Sequence, residues 1–157
     1  MPVHYQLVID CAEPDRLAHF WAAALGYRIA PPPAGFDSWD DYYRDLGLPE
    51  EFLGRGADRI SDPQGHGPSI WFQVVPDIKV VKNRLHIDVH ASGERTDPIE
   101  TRRRRVDAAA ARLVALGATV LGSSDDGEEG AEDEEAAEVD HYAVAMKDPE
   151  GNEFDIN

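Results

Sequence analysis

Cysteine is almost absent. Cys11 is the only one in 157 residues, so neither an intramolecular disulfide nor a cysteine-built zinc ribbon can form, and Cys11 reads as a small buried strand residue. Long apolar runs are missing too. No stretch approaches the ~20 residues that span a bilayer, and the opening MPVHYQLVIDC lacks the basic flank and small-residue cleavage site of a signal peptide. A reducing cytoplasm is therefore the expected compartment, with no membrane partner. Basic residues are scarce, and their one dense run, Arg102–Arg105, opens a helix pattern without interleaved aromatics. That argues against nucleic acid. Nucleotide loops and a nucleophile elbow are also lacking, since the glycines of LGLPEEFLGRG do not have the required spacing.

What is present is 42% hydrophobic residues, enough for a real core in one domain or two half-size modules, and a formal charge of −16. The charge is concentrated. Ten acids and no base fall between Asp125 and Asp140, and without them 21 acids face 15 Lys and Arg. Self-repulsion and a shortage of apolar residues predict a mobile, solvated loop over about 123–139, with a partner-binding role as the alternative.

The chain repeats itself. Residues 4–30 read as strand, turn, helix, Leu-Gly, strand, and residues 84–121 read the same way, the helices ending at Leu25-Gly26 and Leu116-Gly117. Downstream, Asp62-Pro63-Gln64-Gly65 precedes SIWFQVV and Asp148-Pro149-Glu150-Gly151 precedes EFDIN, so each module closes with a DPxG turn and a last strand. Leu17, Phe20, Trp21, Ala24 and Leu25 form one helical stripe, and Val106, Ala109, Ala110, Leu113 and Leu116 the other. The modules are expected at 1–78 and 79–157. An aromatic insertion at about 31–56, carrying Phe36, Trp39, Tyr42 and Tyr43, is too long for a bare connection and predicts a lid or short helix. Its aromatics either cover a cavity mouth or anchor the insertion to the core.

Strand alternation supplies candidate site residues. Leu85, Ile87 and Val89 oppose His86, Asp88 and His90; Phe154 and Ile156 oppose Glu153, Asp155 and Asn157; Tyr5, Leu7 and Ile9 oppose His4, Gln6, Val8 and Asp10. If helices cover the apolar faces, the other faces are lined with His, Gln and Asp. Such faces are either simply solvated or brought together around a concavity.

The runs IDCAEPDRLAHFWAAALGY, WFQVVPDIKVVKNRLHIDVH and DHYAVAMKDPEGNEFDIN resemble the glyoxalase-like branch of the vicinal-oxygen-chelate superfamily, over nearly the whole chain apart from the insertion and the acidic loop. The resemblance implies an α+β fold of two tandem βαβββ modules forming a curved, eight-stranded mixed sheet with a concave cup. In metal-dependent members four ligands come from the first and last strands of each module, which here implies Gln6, Gln73, His86 and Asp155 as a set for a divalent ion (Zn, Ni, Mn or Fe). One imidazole and one carboxylate is a weak set beside the family pattern. The implied partner is a small molecule held by Trp71, Asp88, His90, Trp39 and Tyr42, in a monomer or homodimer.

Two functions compete. A metal-dependent lyase or isomerase would act on an oxygen-rich substrate with Asp155 as general base; the missing carboxylate argues against glyoxalase I activity itself. The alternative is a metal-free protein that sequesters an antibiotic or metabolite. Extradiol dioxygenase chemistry ranks last, because Gln6 stands at a His position. In either version Gln6, His86 and Asp155 are expected to converge in one concave site.

Overall fold

The computed structural model describes residues 4–127 and 141–157. The chain gathers into two compact units, Met1–Ile78 and Lys79–Asn157. In the first, β1 (Gln6–Cys11), α1 (Pro14–Leu25) and β2 (Arg28–Ile29) lead into the insertion, followed by β3 (Arg59–Ser61) and β4 (Ser69–Val74). In the second, β5 (Asp88–Val89), α3 (Ile99–Ala115), β6 (Thr119–Ser123), β7 (Val144–Lys147) and β8 (Glu153–Ile156) repeat the pattern. The sheets have the same order, β1-β4-β3-β2 and β5-β8-β7-β6. Each pairs its first and last strands in parallel and the others antiparallel. The eight strands of a tandem βαβββ fold are thus present, four to a module.

Local chemistry explains the elements. Pro14 sits in the first turn of α1, where its missing N–H costs nothing, and Gly26 ends the helix at φ 68°. Leu17, Phe20, Trp21 and Ala24 are buried with Ile60, Ile70 and Phe72 to form the first core; Leu25 is only partly covered. The second core joins Val106, Ala110 and Leu113 of α3 to Val144, Met146, Phe154 and Ile156. Leu116 leaves the predicted stripe: it follows the helix as its C-cap and is exposed.

The DPxG turns are built by their aspartates. Asp62 accepts backbone N–H groups from Gln64, His66 and Gly67 at 2.8–2.9 Å. Asp148 accepts those of Glu150 and Asn152 at 2.9 and 3.0 Å and the Asn152 side chain at 2.9 Å. Gly65 and Gly151 take positive φ in the same turns.

The insertion does fold into a short helix, α2 (Trp39–Asp45), capped by Ser38, whose Oγ accepts Asp41 N–H at 3.1 Å. A 3-10 turn at Glu50–Phe52 follows.

Two expectations need correction. The strand expected through Leu85 is paired only at Asp88–Val89, and Leu85 is 88% exposed. Because Asp88 pairs with Asp155 and β8 starts at Glu153, a residue before His86 has no strand beside it. The loop expected to be mobile from about 123 is also structured at its start. Ser123 closes β6, Ser124–Gly127 form a 3-10 turn, and Asp125 pairs with Arg103. Residues 128–140, which carry most of those acids and the expected mobility, lie outside the described residues.

Candidate functional site

In the second module the polar sheet face is a row of paired side chains. Asp88 is the direct partner of Asp155 across the parallel β5/β8 ladder, and His86 stands two residues before Asp88. His86 Nε2 lies 3.3 Å from Asp88 Oδ1 and 3.6 Å from Asp155 Oδ2. One ligand atom from each of the three residues fits within 4.8 Å of the others, all three being partly or fully open to solvent. His90 continues the row, its Nδ1 2.6 Å from Asn157 Oδ1. His86 and Asp155 are therefore together, and Asp88 belongs with them rather than apart as a separate binding residue.

A strap flanks this row. Lys79 Nζ lies 3.1 Å from Glu153 Oε2, and the same oxygen accepts Asn83 N–H at 3.0 Å. The Asn83 N–H, aided by the Lys79 ammonium, draws the Glu153 carboxyl down to about 2 against a smaller opposing effect of desolvation.

The first module is furnished differently. Its last hairpin pairs Ile60 with Ile70 and Arg59 with Trp71; that of the second pairs Met146 with Phe154 and Ala145 with Asp155. Matching the buried pairs makes Trp71 the counterpart of Asp155. Through the parallel ladders, where Val8 faces Trp71 and Asp88 faces Asp155, Gln6 becomes the counterpart of His86. Gln73 corresponds to Asn157. Gln6 pairs with Ser69 (Nε2 to Oγ, 3.2 Å) while Gln73 pairs with Asp10. Four residues of strand, about 13 Å, separate those rungs, so Gln6 and Gln73 are not brought to one ion.

Trp71 instead joins a cluster under the insertion. Arg59 lies with its guanidinium carbon 4.6 Å from the Trp39 ring centre and 5.0 Å from that of Trp71. Tyr43 donates its hydroxyl to Asp58 Oδ2 at 2.5 Å, and Trp71 Nε1 donates to the same oxygen at 3.3 Å. Burial first, then the Asp58 hydrogen bond, pushes the Tyr43 phenol up to about 12. Trp39 Nε1 donates to Ala30 O at 2.9 Å, and Tyr42 packs edge-on to Phe36 and Trp39. The aromatics thus anchor the insertion to the polar face of β3 and β4. Asp58 and Arg59 were not singled out in the sequence, although alternation with Ile60 already assigns Arg59 to that face. A groove of about 430 Å³ at the start of α1 lies beside Gly54 and Arg55 and includes none of the expected site residues.

The glyoxalase-like domain family matches residues 6–157. The chain belongs to that family. Several solved structures are similar to this glyoxalase-like protein. A glyoxalase/bleomycin resistance protein/dioxygenase family enzyme from Burkholderia phytofirmans is 17% identical with a TM-score of 0.51, over 97% of this chain and 94% of that one. Fosfomycin resistance protein FosX from Mesorhizobium loti is 9% identical with a TM-score of 0.53, over 99% and 91%. A hypothetical protein from S. aureus is 14% identical with a TM-score of 0.55, over 99% and 93%. At such identities the likeness concerns the fold. No curated protein matches the chain. No described helix is long and apolar enough to cross a membrane.

Proposed function

We propose that this glyoxalase-like protein is a cytoplasmic, metal-dependent lyase or isomerase that acts on a small, oxygen-rich molecule at the polar sheet face of its second module. The observation that supports this is the approach of His86 Nε2 to two carboxylates, at 3.3 and 3.6 Å. Imidazole with carboxylate oxygen is a donor set that suits Zn²⁺, Mn²⁺ or Fe²⁺, so the residues fit the ion the family implies. His86 and Asp155 would hold it. A bound divalent ion supplies Lewis-acid polarisation of a substrate oxygen. Asp155 faces His86 through Oδ2, which leaves Oδ1 to accept a proton from a carbon beside a carbonyl. His90, fixed by Asn157, is positioned to donate to a substrate oxygen farther along the row.

Metal analysis of untagged protein tests the reading. Stoichiometric divalent metal, lost in His86→Ala and retained in His19→Ala on α1, is the expected result. Protein that stays metal-free after incubation with Zn²⁺ or Mn²⁺ would overturn it.

A second reading, ligand sequestration without metal, is favoured by one feature of the first module. Trp39 and Trp71 present indole faces around Arg59, a surface suited to a flat, anionic molecule. In that case small-molecule affinity would fall in Trp71→Ala with metal content unaffected.

A further inference from the structure

Resting on the metal-dependent reading, we infer that Asp88 is a protein ligand of the ion beside His86 and Asp155. Two separate observations carry this. One is geometric. Asp88 and Asp155 are direct partners on adjacent parallel strands, so their side chains leave the same face at the closest lateral spacing a sheet offers, about 4.8 Å. His86 precedes Asp88 by two residues, and its Nε2 reaches both carboxylates, at 3.3 and 3.6 Å. Two donor atoms each 2.0–2.1 Å from a tetrahedral ion stand about 3.3 Å apart. The two edges that meet at His86 already have nearly that length. The three ligand atoms lie within 4.8 Å of one another, so a small side-chain rotation of either aspartate completes the triangle.

The other observation concerns what the first module offers instead. The counterparts of His86, Asp88 and Asp155 are Gln6, Val8 and Trp71. Valine has no donor atom, and indole N–H donates hydrogen bonds but offers no lone pair to a metal. Trp71 N–H is turned to Asp58, and the Gln6 amide nitrogen to Ser69 Oγ. The first module therefore has no carboxylate at any of the three positions. Asp88 restores the second carboxylate within the second module. The resulting set, one imidazole and two carboxylates, balances the charge of a divalent ion and leaves coordination positions for two neighbouring substrate oxygens.

Zn²⁺ titration of the full chain by calorimetry, with Asp88→Asn and His19→Ala beside the wild type, tests the assignment. Asp88→Asn should weaken Zn²⁺ binding by about 10- to 100-fold, the loss seen when even an outer partner of a metal ligand is removed, whereas His19→Ala, on α1, should stay within about twofold of wild type. Asp88→Asn binding Zn²⁺ as tightly as wild type, or His19→Ala losing as much, overturns the inference while leaving a metal-dependent protein. Wild type that binds no Zn²⁺ removes both the inference and the functional reading beneath it. If Asp88→Asn does not fold, Asp88→Glu with Co²⁺ as the probe takes its place: a longer carboxylate should alter the visible Co²⁺ spectrum, and an unchanged spectrum counts against Asp88 as a ligand.

Discussion

The Arg59 guanidinium carbon stands 4.6 Å from the centre of the Trp39 ring, which ties α2 of the insertion to β3 of the first module. A cation over an indole contributes about 0.5–2 kcal/mol, and the half-buried Trp39 ring adds apolar area to that. Trp39→Ala should therefore lower stability by roughly 2 kcal/mol in urea unfolding. A loss within error of zero would mean that the insertion stands apart from the fold.

Glu153 makes the protein sensitive to acid. Its carboxyl is drawn from 4.5 to about 2 by the Asn83 N–H, with help from Lys79. A depressed carboxyl stabilises the fold fully above its unfolded value and loses that contribution as pH falls through the folded one, here from about 4.5 to about 2. Wild type should be more stable than Glu153→Gln at neutral pH, with the gap closing across that window. Parallel unfolding curves for the two proteins down to pH 2 would contradict the assignment.

Alkaline titration should report on Tyr43 and Tyr142. Tyr43 and Tyr142 are both pushed up to about 12, by burial first and then by hydrogen bonds to Asp58 and Asp107. Since their folded values are raised, their stabilising effect is present below about pH 10 and is lost as pH climbs toward 12. Phenolate absorbance should show late-ionising groups, one of which disappears in Tyr43→Phe. An unchanged late phase in that variant would place Tyr43 in an ordinary environment.

Asp148 is 3% exposed, and its carboxylate accepts three hydrogen bonds within its own turn. Asp148→Ala leaves those donors without their acceptor, and buried unsatisfied groups cost about 1–3 kcal/mol. The variant should unfold at lower denaturant than wild type, and by a wider margin than Asp62→Ala in the more open turn of the first module. Equal losses would show that burial is not what distinguishes the two turns.

Much of this was legible in the sequence because it depends on local rules. Leu-Gly helix ends, the DPxG turns and the three-and-four spacing of Leu17, Phe20, Trp21 and Ala24 each state a backbone or burial requirement directly. The parity that set His86, Asp88 and Asp155 on one face did the same. Gln73 was misplaced because register across a hairpin depends on loop length: nine residues separate Ile60 from Ile70 but seven separate Met146 from Phe154. That two-residue difference brings Trp71 to the place of Asp155, and no alternation pattern reveals it. Leu85 failed for a related reason, since a strand needs a partner as well as a pattern. Arg59 went unnoticed because a lone cation beside an insertion looks like surface until two indoles close on it.

Ser123 pairs with Val144, Ser124 N–H donates to Ala143 O at 3.0 Å, and Ala143 N–H donates to Ser124 Oγ at 3.2 Å. Two stretches of the second module are thus joined here as the posts of a hydrogen-bonded doorway. Closing a loop grows costlier only slowly with its length, and posts already joined hold the register of β6 and β7 whatever the length of the connection. For protein engineering this is a splice point: an epitope, a sensor peptide or a reporter domain can be threaded between the posts while the register of β6 and β7 is kept.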